Sequence, residues 1–198
     1  MQHDFDQLLK DIKNCQTCAA FLPNPPNPVV QVSPKSKIIV IGQAPGTKVH
    51  ESGIPFDDQS GENLRDWLGV TEEQFYNTDL FGIMPMGFCF PGNNPTGGDL
   101  PPRKECAPQW HDKLFSEMKN VQLVLLIGQY AQKYYLGKGM KRNLTETVKY
   151  GYEYLPKYFP LVHPSPLNFR WQGKNPWFKT DVLPMLQEKV QHIIKDKK

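Results

Sequence analysis

Two runs of branched apolar residues dominate the hydropathy pattern. Lys37-Ile38-Ile39-Val40-Ile41 stops at Gly42, and Val121 to Ile127 stops at Gly128. Neither run alternates with polar residues, so both are predicted as strands buried on two faces. Leu80 to Met86 and Tyr158 to Val162 read as weaker strands. Helical spacing fills the gaps between them. Residues 3–14 place Phe5, Leu8, Leu9 and Ile12 on one face. Residues 60–69 form a second helix, with Ser60 the expected N-cap and Gly69 the expected stop. Further helices are predicted over 106–119, 129–136 and 178–195, the last disturbed by Pro184. Asn175-Pro176-Trp177 reads as the turn that caps it.

The stretch from Pro23 to Pro34 holds five prolines and is predicted as an irregular crossing loop. Residues 87–103 are rich in Gly and Pro. They form a long loop of the kind that often carries function. Strands alternating with helices define an α/β class: one three-layer α/β/α domain over 1–198, with a four-stranded, mainly parallel central sheet. Binding residues then belong beyond the carboxyl ends of the strands. Three unusual segments follow strands directly, Gly42–Gly46, Pro85–Pro91 and His163–Asn168, and the fold class brings them to one rim.

Composition narrows the class. The chain has 198 residues, 39% hydrophobic and 22% charged, which suits a soluble globular protein rather than a disordered one. Lys and Arg number 23 against 20 Asp and Glu, a net charge of +3. That permits a polyanionic partner without demanding one. Pro, at 19 residues, is about twice its usual share. No apolar run reaches the roughly 18 residues of a membrane span, and no signal peptide is read. A cytoplasmic protein, a monomer without membrane contact, is expected.

There are four cysteines. Cys15 and Cys18 form a CxxC pair, whose two-residue gap lets both sulfurs face one metal. Cys89 and Cys106 lie in the long loop and at a helix start, where they can complete a four-sulfur site for zinc or an iron–sulfur cluster. Four unrelated thiols, or a redox pair, are the other readings. Redox CxxC motifs usually begin a helix after a strand; this one follows a helix and precedes prolines.

Gly42-Gln43-Ala44-Pro45-Gly46 lets the backbone pass close to a ligand with its amides turned outward. Gly53-Ile54-Pro55-Phe56 and Ser60-Gly61 follow, and His163-Pro164-Ser165-Pro166-Leu167-Asn168 comes late in the chain. From Cys15 to Trp177 this set resembles the uracil-DNA glycosylase superfamily, and within it the iron–sulfur branch, family 4. There the first motif is GEAPG, and six residues later comes GxPF; Gly46 and Gly53 keep that spacing. The four cysteines fall where that branch has its cysteines. The late segment is similar to the HPSPL motif of family 1.

The resemblance implies a DNA-repair glycosylase that hydrolyses the N-glycosidic bond of uracil, or another deaminated base, flipped out of DNA. His163 and Gln43 are then the catalytic candidates, with His163 donating to a base carbonyl. Gly42, Ala44, Pro45 and Gly46 line the pocket with their backbone, and Phe56 stacks on the base. Ser165, Leu167 and Asn168 contact substrate, Leu167 as an apolar wedge in the duplex. Cys15, Cys18, Cys89 and Cys106 hold a [4Fe–4S] cluster, or zinc. Lys48, Arg170 and Lys174 are candidate phosphate contacts. Trp171, Trp177, Tyr134 and Tyr135 can stack on bases or simply pack.

Three positions depart from the pattern. The family 4 Glu is Gln43. The water-orienting Asp of family 1 falls at Ala44, and the base-reading Asn falls at Pro85. Glu51, Asp57 and His50 are candidates to replace the missing polar groups. A non-catalytic binder of damaged or single-stranded DNA, and a hydrolase of free nucleosides, are the competing functions.

Overall fold

The computed structural model describes residues 2–196, with side chains from Asp4 onward. Four strands form the sheet: β1 (Ile38–Ile41), β2 (Phe81–Ile83), β3 (Leu123–Ile127) and β4 (Tyr158–Leu161). Their order is β2-β1-β3-β4, and every pairing is parallel. The helices are α1 (Gln2–Lys13), α2 (Thr47–Ser52), α3 (Gln59–Leu68), α4 (Glu72–Tyr76), α5 (Cys106–Glu117), α6 (Gly128–Leu136), α7 (Leu144–Lys149), α8 (Phe169–Lys174) and α9 (Leu183–Lys195).

The layers follow from the period-two direction of strand side chains. Ile38 and Val40 of β1, with Leu123, Leu125 and Ile127 of β3, meet Leu64 and Trp67 of α3, Val148 of α7 and Leu186 and Val190 of α9. Ile39 and Ile41, with Val124 and Leu126, face the opposite way. They meet Phe5 and Ile12 of α1, Trp110 and Leu114 of α5 and Ala131 of α6. Both faces of β1 and β3 are thus covered by helices, which is why neither run alternates.

Several expected boundaries move. Leu80 to Met86 keeps only Phe81–Ile83 as strand. The chain still runs beside the first turn, since Met84 and Met86 donate to the carbonyls of Val40 and Gly42 at 3.0 and 2.9 Å. Pro85 between them has no N–H to offer on the other side, where Ile83 pairs with Gln31. The N-cap of α3 is Asp58 rather than Ser60, its side chain accepting the Gly61 N–H at 2.9 Å, and Gly69 ends the helix in the left-handed region at φ 65°. The predicted closing helix divides into a wide π turn over Phe178–Val182 and α9 proper. Pro184 falls in the first turn of α9, where its missing N–H has no helical partner to lose.

The proline-rich stretch crosses beneath the sheet edge. Gln31 and Ile83 exchange backbone hydrogen bonds at 2.9 and 2.6 Å, and Val29 donates to Phe88 at 2.7 Å. At the opposite rim, α9 ends beside Lys37, whose Nζ donates to the carbonyls of Ile193, at 3.4 Å, and Asp196. No described helix is long and apolar enough to cross a membrane.

Candidate active site

The strand order reverses direction at β1. The chain leaves β1 toward β2 on one side, while β3 pairs on the other. Open α/β sheets bind ligands at such a switch point. A hollow of about 160 Å³ lies there. That is below the roughly 300 Å³ at which pockets for drug-sized ligands begin, and suits a single small ring. Gly42, Gln43, Ala44, Pro45 and Gly46 line it from one side, and His163 and Ser165 from the other. Two segments more than a hundred residues apart thus meet across one cavity.

The local chemistry explains how each is held. Phe56 adopts φ 57°, unusual for a residue with a side chain. A Cβ on Gly61 would stand 1.8 Å from the Phe56 carbonyl oxygen, so the start of α3 packs directly on that backbone. This places the Phe56 ring at the cavity wall, 3.5 Å from where a Cβ on Gly42 would sit and edge-on to Phe75. His163 Nδ1 accepts the Ser165 N–H at 3.2 Å. Asn168 Nδ2 donates to the His163 carbonyl at 2.7 Å, and Asn63 Nδ2 to the Pro164 carbonyl at 2.7 Å. Burial lowers the His163 pKa below its usual 6.5, with the negative charge of Asp58 opposing. The imidazole is therefore neutral at pH 7, with its proton on Nε2.

Asn168 does not line the cavity with the others. It braces the His163 loop and lines a neighbouring hollow with Gln43, Gly128 and Trp171. Leu167 sits at the loop tip, 82% exposed. Lys48, Arg170 and Lys174 are all exposed. Trp171 packs edge-on against Trp177 and Phe178 and donates to Thr145 at 2.9 Å. Tyr135 stacks on His111, while Tyr134 is half-exposed.

None of the three expected replacements for the missing polar groups reaches the cavity. Glu51 is exposed on α2, Asp57 is not among the residues that line the cavity, and His50 turns toward Phe90. The carboxylates that line it are Asp58 and Asp99. Asp58 could have been found from its position one residue before α3, as an N-cap. Asp99 carries no local signal; it lies in the Gly/Pro loop that only the fold returns to the site. Pro85 lines the cavity too, with its carbonyl turned to the buried His111, whose Nε2 is 3.0 Å away. The Tyr135 hydroxyl lies 2.6 Å from the other ring nitrogen.

All four cysteines line a second hollow, together with Arg103 and Trp110. Burial pushes the Cys89 and Cys106 thiols up to about 11 and about 12. The Phe88 N–H donates to Cys106 Sγ at 3.3 Å. Such N–H donors stabilise sulfur that carries negative charge. Among the described residues no group of three or more His, Cys, Asp or Glu is drawn together to hold a single metal ion.

The Gln43 turn and His163 thus frame a cavity suited to a single small ring at the switch point of a parallel sheet. The family model described as the uracil DNA glycosylase superfamily matches residues 29–187, and the chain belongs to that superfamily. It is similar to the type-4 uracil-DNA glycosylase of Sulfurisphaera tokodaii, with 27% identity over 146 residues. The match covers 67% of this chain and 61% of that relative, so the chain spans under two thirds of the relative's length.

Proposed function

We propose that this chain hydrolyses the N-glycosidic bond of uracil, or another deaminated base, flipped out of DNA. The observation that carries this reading is the meeting of the Gln43 turn and His163 across one small cavity. When the bond breaks, negative charge gathers on the base oxygens while the sugar becomes oxocarbenium-like. The Nε2–H of a neutral imidazole is a donor suited to that developing charge, and it is held in place before reaction. The backbone N–H groups of Gly42, Gln43, Ala44 and Gly46 would add further donors; Pro45 has none. Phe56 stacks on the everted ring. Exposed Leu167 fills the gap left in the duplex, and Lys48, Arg170 and Lys174 meet phosphates.

The four cysteines line one hollow and, following the family resemblance, would hold a [4Fe–4S] cluster, with zinc the alternative. Bound there, a cluster would tie the segment after α1 to both ends of the long loop. Its place is structural, since the cysteines line a different hollow from the one holding His163. Four unpaired thiols also suit a reducing, cytoplasmic setting. One domain acting as a monomer on DNA completes the reading.

The test is base release from single- and double-stranded oligonucleotides carrying uracil, hypoxanthine or xanthine, read as strand scission at the abasic site. Release from at least one is expected. Salt-dependent binding without release would favour the non-catalytic binder, a reading prompted by Ala44 and Pro85.

A further inference from the structure

The cavity lacks a carboxylate at Ala44, yet hydrolysis needs a water held beneath the sugar. A flipped nucleotide enters base first, so its sugar stays at the mouth. Asp99 stands at that mouth, on the exposed tip of the loop between Cys89 and Cys106. Its Oδ2 lies 3.4 Å from where a Cβ on Gly46 would sit, against the end of the first turn. The loop is built to keep it there. Asn93 and Asp99 form an antiparallel bridge, the Leu100 N–H donates to the Gly92 carbonyl at 2.8 Å, and Gln43 Nε2 donates to the Leu100 carbonyl at 2.9 Å.

Asp58 is placed differently. One of its oxygens is engaged by the Gly61 N–H as the cap of α3. Among the described residues the Asp99 carboxylate makes no hydrogen bond and no ion pair, so it is free to take one from water.

On the reading that the cavity accepts an everted base, we infer that Asp99 supplies the water-holding carboxylate that the first motif lacks at Ala44. The C1′–N bond breaks and its electron pair leaves with the base. The water oxygen bonds to C1′ and passes one proton to the Asp99 carboxylate. The departing base takes a proton from solvent, and Asp99 later returns its own to solvent. The net change is one water consumed and one base freed. Partial burial and the charge of Asp58 raise the Asp99 pKa, which makes the carboxylate a better proton acceptor.

Asp99→Asn tests this against Asp99→Glu on uracil-containing DNA, with release measured in single turnover and binding by anisotropy. Expected is a loss of about 100-fold or more in the release rate for Asp99→Asn, typical of a lost general base. DNA affinity and melting temperature stay near wild type, and Asp99→Glu recovers part of the rate. A wild type that releases uracil and an Asp99→Asn variant that does so equally fast overturn this assignment alone. Equal losses of binding and rate make Asp99 a loop-holding residue and also overturn it. A wild type that releases no base from any substrate overturns the glycosylase reading, and this assignment with it.

Discussion

The Nδ1 atom of His163 accepts the backbone N–H of Ser165 at 3.2 Å, two residues along the same loop. That bond fixes the tautomer. Protonating Nδ1 would set two N–H groups against each other, so the neutral form with Nε2–H is the one the loop holds. Because the pKa lies below 6.5, base release should stay flat as pH falls through the ordinary imidazole range, and decline only in more acid solution. His163→Ala should slow single-turnover release by about 100-fold, the effect of losing one preorganised donor. A wild-type rate that halves near pH 6.5 would contradict the lowered pKa of His163.

His111 is fully buried, and burial lowers its pKa from 6.5 to about 4. The unfolded chain takes up a proton below pH 6.5 that the folded chain refuses. Stability is therefore intact above that pH and falls as pH drops toward 4, by about 3 kcal/mol from this group. Urea unfolding at pH 7 and pH 4.5 measures it. His111→Gln should unfold more easily at pH 7, with Tyr135 and Pro85 losing their partner, but show a smaller difference between the two pH values.

Gly61 and Gly173 make opposite predictions for the same change. Gly61→Ala drives a methyl group into the Phe56 carbonyl, only 1.8 Å away. The backbone must shift, at a cost of about 3 kcal/mol, and the Phe56 wall moves with it. At Gly173, in α8, a Cβ meets nothing within 4 Å. Gly173→Ala should raise stability by up to about 1 kcal/mol through helix propensity. Thermal unfolding of both variants is the check.

Leu167 is 82% exposed, so Leu167→Ala should leave the melting temperature almost unchanged. If it wedges into a duplex, release from double-stranded substrate falls several-fold more than release from a single strand, where there is no stack to hold open.

Cys89→Ser and Cys106→Ser should abolish iron content and visible absorbance in anaerobically purified protein, and lower the melting temperature by loosening the long loop from the segment after α1. Wild-type protein that is colourless, iron-free and equally stable would remove the cluster from the proposal.

Much of the scaffold is visible along the chain. The runs ending at Gly42 and Gly128 reveal both central strands because burial on two faces leaves no room for polar residues. The Gln43 turn and the His163 loop were legible because Gly and Pro mark strand ends. Short helices were harder to see. α4 has a capping box, Thr71 with Gln74, and α7 an Asn143 cap, but six residues or fewer give little periodicity. Asp99 was invisible because its place depends on a seventeen-residue excursion whose return is set by Gln43 and Gly92, not by its neighbours in sequence.

The finish of α9 beside Lys37 has a practical bearing. Lys37 precedes β1, so that contact marks the amino-terminal rim of the sheet, while the cavity opens at the carboxyl rim. A dye or bead coupled through exposed Lys195 would therefore sit on the back of the molecule. Anchored that way, the protein would present its mouth outward, and long DNA could pass across it unobstructed.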